Sequence, residues 1–245
     1  MNLGKIIGTG YTATVYQWQE GKVIKLFRND FPVNSVELEF HNAMAVRDLP
    51  FSKPKAYELI SYEDKLGIVY DHMNGESLLD WVLRTGELQQ CAVHMAELHR
   101  SILNTESEHV SDYKDFLRYF IRMISDSDKR DEALKILEGL PTGNTLCHGD
   151  FHPGNILLSD GVTATIDFMN ICRGHYLYDV ARTVFLVQYT PVHEEGEMGE
   201  QIRQFKKSLA DLYLMQMQIT RDMIKDYLFV IKEARKCECP NEKND

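Results

Sequence analysis

Short apolar runs alternate with glycine and polar residues over the first 70 residues, a pattern typical of β-strands. We predict five strands, at 3–8, 13–18, 22–27, 56–62 and 67–70. Between the third and fourth strands, apolar residues at helical spacing predict a helix over 36–49. Asn34 is its predicted N-cap, with Glu37 three residues later as in a capping box. We therefore expect a small β-rich unit containing one helix.

After Gly75 the apolar residues recur at helical spacing. The segments predicted to be helical are 78–82, 91–102, 113–124, 176–188 and 201–236. A β-suited segment returns at 145–168, and the polar tail 237–245 is expected to fray. The patterns together predict an α+β fold of two lobes: a β-rich N-lobe over 1–75 and a larger, mostly helical C-lobe over 76–245.

Composition narrows the class of protein. The chain has 245 residues, 44% of them hydrophobic and 26% charged, which is ordinary for a soluble globular protein. Its 37 acidic and 27 basic residues give a net charge of −10, which argues against binding to nucleic acid. No apolar run approaches the roughly 20 residues of a membrane helix. Glycine at position 4 interrupts any signal-peptide core, and five cysteines without an export signal are typical of reduced thiols, so we expect a cytoplasmic protein.

A glycine-rich segment lies between the first two predicted strands. Gly8 and Gly10 let the backbone approach phosphate oxygens closely, and their N–H groups can point at the anion. Ala13 stands at the third glycine position of a G-x-G-x-x-G pattern, and an ordinary hairpin turn explains the glycines as well. Because a strand and not a helix follows, the pattern does not favour a dinucleotide-binding fold.

Lys25 lies within the apolar third strand, where its ammonium group could contact the phosphates of a nucleotide. A buried cation needs an anionic partner. Glu39 on the predicted helix is the first candidate for that partner, and Glu37 is the second. A surface lysine on an edge strand is the alternative interpretation.

The most specific motif is H-G-D-F-H-P-G-N over 148–155, followed by I-D-F over 166–168. Phosphoryl transfer from ATP needs an acceptor for the substrate hydroxyl proton and oxygen ligands for Mg²⁺. Asp150 suits the first task, while Asn155 and Asp167 suit the second. The H-x-D-x-x-x-x-N spacing matches the kinase catalytic loop.

These motifs resemble those of the aminoglycoside phosphotransferase family, which is similar to choline kinases and shares the protein-kinase-like fold. Besides 148–155 and 166–168, the resemblance includes Y-D-V-A-R at 178–182 and the segment 67–75, which is similar to the last N-lobe strand and hinge of the family. The similarity extends from about residue 3 to residue 190 and is most specific around the two catalytic motifs.

The resemblance implies a bilobal enzyme with ATP or GTP in the interlobe cleft, bound Mg²⁺, and an acceptor site in the helical lobe. Asp150 would be the catalytic base, and Asn155 and Asp167 would hold the metal. His148 would support the loop, and Asp179 is interpreted as a brace of that loop. The implied nucleotide-binding residues are Gly8, Gly10, Lys25, Glu39, Asp71 and Met73, the last two at the adenine-binding hinge.

Two other functions remain open beside a small-molecule kinase. A protein kinase is disfavoured because only 11 residues separate Asp167 from Asp179, Met169 replaces the glycine after Asp-Phe, and no A-P-E segment follows. A catalytically silent nucleotide-binding protein is disfavoured because Asp150 and both metal ligands are present. The acceptor class stays open among aminoglycosides, choline-like alcohols, thiamine, sugars and other metabolites, and we expect a monomer or homodimer.

Two segments of the C-lobe allow opposing interpretations. The stretch 191–200 carries four glutamates, which could attract a cationic acceptor or form a solvated acidic loop. The aromatic residues of 113–120 could surround a quaternary ammonium group or form the apolar core face of a helix. Cys237 and Cys239 are too isolated to indicate a metal site.

Overall fold

The first part of the chain forms a five-stranded antiparallel sheet in the order β1-β2-β3-β5-β4. The computed structural model describes residues 3–242. The strands are β1 (Ile6–Thr9), β2 (Ala13–Gln19), β3 (Lys22–Phe27), β4 (Ala56–Tyr62) and β5 (Lys65–Asp71). All five were predicted, and β3 and β4 have the predicted bounds. This sheet presents Lys25 at the centre of β3, paired with β2 on one side and β5 on the other.

One helix, α1 (Val33–Val46), connects β3 to β4 and packs against β4 and β5. The predicted cap at Asn34 is wrong: Pro32 precedes the first helical residue, and Asn34 lies inside the first turn without a capping hydrogen bond. Proline suits a helix start because its φ is already helical and it has no N–H to satisfy. The buried face of α1 includes two polar residues, Glu39 and Asn42.

The rest of the chain is mostly helical. Its helices are α2 (Leu78–Thr85), α3 (Leu88–Leu103), α4 (Tyr113–Ile121), α5 (Ser127–Gly139), α6 (Tyr176–Val184), α7 (Gly196–Met217) and α8 (Lys225–Glu238). A π-helical turn, Phe185–Tyr189, extends α6. The patterns missed α5, whose helix buries only Ala133 and Leu137 and therefore shows almost no apolar stripe.

Two small antiparallel sheets lie within the helical part and carry the catalytic motifs. The first joins β6 (Glu76–Ser77), β8 (Ile156–Ser159) and β9 (Val162–Thr165). The second joins β7 (Thr145–Cys147) to β10 (Cys172–Gly174). Because β7 ends at Cys147 and β9 ends at Thr165, each catalytic motif follows the end of a strand, one from each small sheet.

The predicted single helix over 201–236 is two helices. Gln218 has φ 59°, a left-handed conformation that ends α7, and a short 3₁₀ turn leads into α8. Glycine or asparagine usually occupies such a position. The sequence therefore carries no recognisable stop signal at Gln218.

The prediction that the tail frays is wrong for the residues that the structure describes. Glu238 Oε1 lies 2.6 Å from Arg182 Nη2, and Glu242 Oε1 lies 2.5 Å from Arg235 Nη2. The last three residues, 243–245, lie outside the described part of the chain. The end of α8 is therefore held to α6 by the Arg182–Glu238 pair, and the residues after it are held to α8 by the Arg235–Glu242 pair.

The β-rich and helical parts meet through α1. Asn42 Nδ2 donates to the carbonyl oxygens of Phe168 at 3.1 Å and Met169 at 3.0 Å, directly after Asp167. The predicted fold class, an α+β bilobal kinase-like fold, is confirmed, while the lobe boundary at Gly75 stays a prediction. Among residues 3–242, no helix has both the length and the apolar character needed to cross a membrane.

Candidate active site

A charged cluster joins the sheet, α1 and the I-D-F segment. Lys25 Nζ lies 2.7 Å from Glu39 Oε1 and 3.2 Å from Asp167 Oδ1. The Tyr70 hydroxyl on β5 also donates to Glu39 Oε1 at 3.2 Å. Glu39, the first candidate partner of Lys25, thus makes the pair, whereas Glu37 is exposed.

Burial and charge act against each other in this cluster. Burial alone would lower the pKa of Lys25, but Asp167 and Glu39 outweigh it and raise that pKa above its usual value. Burial also opposes ionisation of Asp167, yet Lys25 holds the pKa of Asp167 below its usual range. Burial raises the pKa of Glu39 to about 7, and its Oε2 has no hydrogen-bond partner within residues 3–242. Lys25 and Asp167 are therefore a charged pair that joins the N-terminal sheet to the I-D-F segment.

Asp150 and Asn155 form a second, adjoining cluster. Asn155 Nδ2 donates to the Asp150 backbone oxygen at 3.0 Å and to its Oδ2 at 3.1 Å. The two residues are five positions apart, and the 3₁₀ turn Pro153–Asn155 folds the chain back so that their side chains meet. The Ile166 N–H donates to the Asn155 carbonyl oxygen at 3.0 Å, which joins this cluster to the residue before Asp167.

His148 contacts the backbone of both clusters and holds them in place. The Asp150 N–H donates to His148 Nδ1 at 3.3 Å, while His148 Nε2 lies 3.2 Å from the Ile166 carbonyl oxygen and 2.8 Å from Thr165 Oγ1. Full burial lowers the pKa of His148 against the opposing effect of Asp179 and Asp150. A neutral ring, accepting at Nδ1 and donating at Nε2, satisfies all of these contacts. Its supporting role is the one implied by the resemblance.

Asp179 braces the same loop from α6, as predicted. Its Oδ2 accepts from the His148 N–H at 2.6 Å, and its Oδ1 accepts from the Gly149 N–H at 2.8 Å. Burial opposes its ionisation, but hydrogen bonding and charge from His99, together with the Gly149 N–H, hold the pKa of Asp179 below its usual range. The loop therefore rests on a buried carboxylate.

His99 on α3 completes this support and was not predicted from the sequence. Its Nε2 donates to Asp179 Oδ2 at 2.9 Å, and the Tyr213 hydroxyl donates to its Nδ1 at 2.5 Å. The ring also stacks on Phe151 with centroids 4.2 Å apart. A lone histidine in a helical pattern gives no sign of a partner 80 residues away, so no sequence signal could have identified it.

Gly149 is required by its position between these groups. Its φ is +74°, and a Cβ there would lie 2.1 Å from the Asn170 carbonyl oxygen. We expect Gly149→Ala to destabilise the fold by about 1–3 kcal/mol more than Gly161→Ala, because the backbone must shift to relieve the overlap. Gly161 is the matched control, since its φ is +79° and its Cβ would meet nothing within 4 Å. Urea unfolding of both variants measures the difference, and equal losses would show that the close approach of Asn170 does not require glycine at position 149.

The predicted glycine-rich loop has room at its glycines. A Cβ at Gly8 would meet no atom within 4 Å, and one at Gly10 would meet only the Ala13 carbonyl oxygen at 3.5 Å. The Gly10 N–H donates to that oxygen and closes the turn between β1 and β2. Internal packing therefore does not require glycine at either position, which leaves space above the loop for a ligand.

The two predicted hinge residues differ in their contacts. The Asp71 carboxylate faces Lys22 Nζ at 2.7 Å and the Tyr57 hydroxyl at 2.8 Å, and its N–H donates to the Lys55 carbonyl oxygen. The Met73 N–H makes no hydrogen bond to any of residues 3–242. The hinge therefore offers its free backbone donor at Met73.

The donor set near the loop fits a divalent metal held partly by nucleotide phosphates. Asn155 donates both of its side-chain hydrogen bonds from Nδ2 to Asp150. Its Oδ1 receives no hydrogen bond from residues 3–242 and can therefore bind a metal. Asp167 is ionised, and Lys25 contacts only its Oδ1. Mg²⁺ bound to a nucleotide commonly takes one or two protein oxygens together with phosphates and water. Such a site does not need a cluster of three His, Cys, Asp or Glu side chains, and none occurs within residues 3–242.

The structure distinguishes between the two interpretations left open for the aromatic residues of 113–120 and for the glutamates of 191–200. Tyr113 is fully buried and packs on Tyr178, while Phe116, Tyr119 and Phe120 contact one another edge to face. Phe116 and Phe120 pack against the core and only Tyr119 of these four is exposed, which fits the core face of a helix better than a cage. Glu194 and Glu195 are exposed, which fits a solvated acidic segment.

This fold, an antiparallel sheet followed by a mostly helical part, is kinase-like. The sequence matches the phosphotransferase enzyme family over residues 4–207, and the chain belongs to that family. The prediction of a phosphotransferase enzyme is thereby confirmed. The chain has no significant match among curated protein sequences.

Solved structures with the same fold are distant in sequence. Aminoglycoside phosphotransferase APH(4)-Ia is 17% identical, with a TM-score of 0.65 over 98% of this chain and 88% of that chain. Amicoumacin kinase hAmiN, solved with AMP-PNP and Ca²⁺, is 16% identical, with a TM-score of 0.61 over 96% and 79%. Aminoglycoside phosphotransferase APH(3'')-Id from Streptomyces rimosus, solved with ADP and streptomycin, is 16% identical, with a TM-score of 0.56 over 90% and 90%.

Proposed function

We propose that this protein transfers the γ-phosphoryl group of ATP or GTP to a hydroxyl group of a small molecule. The observation that carries the proposal is that two clusters, Lys25–Glu39–Asp167 and Asp150–Asn155, adjoin through the hydrogen bond from the Ile166 N–H to the Asn155 carbonyl oxygen. These are the groups that phosphoryl transfer requires: a cation for the phosphates, oxygen ligands for a metal, and a base for the acceptor.

Asp150 is the proposed catalytic base. Asn155 occupies Oδ2 with a hydrogen bond, and no hydrogen bond from residues 3–242 reaches Oδ1, so Oδ1 can accept the acceptor's hydroxyl proton. His148 and Asp179 hold the loop backbone beneath it. The contribution of the protein is mostly positioning, because the phosphoryl group passes through a loose transition state that needs little covalent chemistry.

Lys25 is the proposed contact to the nucleotide phosphates, with Glu39 holding its side chain from α1. Asn155 Oδ1 and Asp167 would hold Mg²⁺, which when bound neutralises charge on the phosphates. Gly8 and Gly10 would let the loop backbone approach the phosphates closely, because the space above both glycines is open. For the adenine or guanine base, the free Met73 N–H supports Met73 as the hydrogen-bond donor, with Asp71 at the start of the hinge.

A small acceptor is favoured over a protein acceptor by the segment that follows Asp167. β10 pairs with β7 only a few residues after Asp167, and α6 begins at Tyr176. This path leaves no long loop on which a peptide could dock. The acceptor is therefore expected among the helices of the C-lobe, next to the catalytic loop.

The metal assignment predicts a loss of Mg²⁺-dependent nucleotide binding in Asp167→Asn. Asparagine tolerates the left-handed backbone of this position, φ 68°, so the fold should be kept. Titration calorimetry with AMP-PNP should show that Mg²⁺ strengthens binding to the wild type at least tenfold more than binding to the variant. Asp48→Asn is the control. Asp48 is an exposed carboxylate two residues after the end of α1, and its ion pair with Lys55 is 3.5 Å long. An unchanged Mg²⁺ effect would remove Asp167 from the metal site.

A further inference from the structure

A cavity of about 310 Å³ lies in the helical lobe between the π-helical turn, the loop after it, α7 and α8. The charged side chains that line it are Arg203, Lys232, Lys236 and Glu233. Three cations thus face one carboxylate, in a chain whose net charge is −10. The cavity is a local reversal of the overall charge.

Two elements connect this cavity to the catalytic loop. Arg182 on α6 donates from Nε to the Gly149 carbonyl oxygen at 3.2 Å, beside Asp150. Phe185, which lines the cavity, follows Arg182 by three residues, roughly one helical turn of 5.4 Å. On α8, Glu238 pairs with Arg182, and the cavity-lining Lys236 lies two residues before Glu238. On both helices the cavity lining therefore lies within one helical turn of the Arg182–Glu238 pair that contacts the catalytic loop.

The cations of the cavity are only partly neutralised. Lys236 pairs with Glu233 at 2.5 Å, and Arg203 pairs with Glu200 at 3.2 Å. Lys232 Nζ lies 3.6 Å from the centre of the Tyr189 ring and has no carboxylate partner among residues 3–242. A concave surface lined by cations concentrates its field and attracts anions.

Lys206 on α7 adds a further cation beside the cavity. Its Nζ donates to Thr190 Oγ1 at 2.8 Å, and Thr190 lines the cavity. This contact holds the loop that forms one wall. The remaining wall is apolar, with Phe185, Pro191 and Val192, so the cavity has space for a carbon skeleton next to its charged side.

We propose that this cavity binds the anionic group of the acceptor, so that the enzyme phosphorylates hydroxylated carboxylates or phosphate esters. This proposal rests on the proposed function and adds that the acceptor carries a negative charge. Polycationic acceptors are disfavoured because they would meet Lys232 and Arg203 in a partly desolvated space. The exposed glutamates 194 and 195 do not line the cavity and do not alter this preference.

The test uses acceptors that share a scaffold and differ in charge. Glycerate, glycerol phosphate, glycerol and aminopropanediol form one set; gluconate, a glucose phosphate, glucose and glucosamine form another. ADP release is measured for the wild type, for the double variant Lys232→Ala with Lys236→Ala, and for the control double variant Lys207→Ala with Lys225→Ala. The control lysines are exposed, pair with Asp211 and Asp222, and do not line the cavity. A parallel thermal-shift titration uses inorganic phosphate with AMP-PNP and Mg²⁺ already bound.

The proposal predicts that one of the anionic classes gives the lowest KM, and that the carboxylate and phosphate arms identify which. The cavity double variant should raise that KM at least tenfold and abolish the phosphate-induced thermal shift, while the control variant changes neither. A lower KM for a neutral or cationic acceptor, or an unchanged KM in the cavity variant, would overturn the proposal.

If no acceptor releases ADP but phosphate still binds through Lys232 and Lys236, the phosphotransferase assignment of the site fails and the acceptor role of the cavity falls with it. If acceptors are phosphorylated but phosphate gives no shift in the wild type, the anion assignment alone is overturned.

Discussion

Asp150→Asn is expected to lower kcat by about 10²–10⁴-fold, because the variant removes the group that accepts the hydroxyl proton. The substitution keeps the side-chain size, and Asn155 Nδ2 can still donate to the remaining oxygen of residue 150. Nucleotide affinity should stay within about twofold of the wild type, since Asp150 is not among the proposed nucleotide contacts. The measurement is ADP release with the best acceptor, paired with AMP-PNP titration of the same protein.

The control for this experiment is Asp30→Asn, an exposed carboxylate in the turn before α1. It should leave kcat and nucleotide affinity unchanged. If Asp150→Asn retains kcat within tenfold of the wild type, Asp150 is not the base. If it loses both kcat and nucleotide binding, the loop has been disrupted and the loss does not identify a base; thermal unfolding separates that outcome.

Removing the carboxylate of Asp179 is expected to give the largest loss of stability. Asp179→Ala leaves three buried donors without an acceptor: the N–H groups of His148 and Gly149, and Nε2 of His99. Removing one partner from a buried charged network of this kind costs about 3–5 kcal/mol, so the free energy of unfolding should fall by that amount. For a chain of this size, that corresponds to a decrease in Tm of roughly 6–20 °C.

The matched control is Asp211→Ala on α7. Asp211 also makes two ion pairs, with Arg221 and Lys207, but its side chain is 42% exposed. Exposed ion pairs contribute only about 0–1 kcal/mol, so this variant should lose little stability. Chemical unfolding of both variants is the measurement. A loss below 1 kcal/mol for Asp179→Ala would show that the catalytic loop does not depend on this carboxylate.

Short-range patterns predicted the sheet and the motif spacing well. β3 and β4 have the predicted bounds because their apolar runs are bordered by polar turns. The position of Glu39 opposite Lys25 was also predicted, because a helix directly after β3 had to pack back on the sheet. The helix start was placed wrongly because asparagine is a favoured N-cap residue, whereas the actual N-cap is Pro32, two residues before Asn34.

The sequence could not predict which buried polar groups pair with each other when they are far apart in the chain. His99 and Asp179 are 80 residues apart, and Arg182 and Glu238 are 56 apart. A helical period indicates which face of a helix is buried but not what that face meets. The same limit hid the charge of the cavity, since Arg203 and Lys232 belong to different helices that look solvent-exposed when each is read alone.

Transfer of a phosphoryl group to a small molecule is tested directly by incubating the wild type with γ-³²P-labelled ATP, Mg²⁺ and pooled hydroxylated metabolites. The products are separated by size and charge. We expect label in a new small-molecule phosphate ester, and none in that fraction when Asp150→Asn replaces the wild type. Label found only in protein would make this a protein kinase, and the absence of any labelled ester across the pools would contradict the assigned activity.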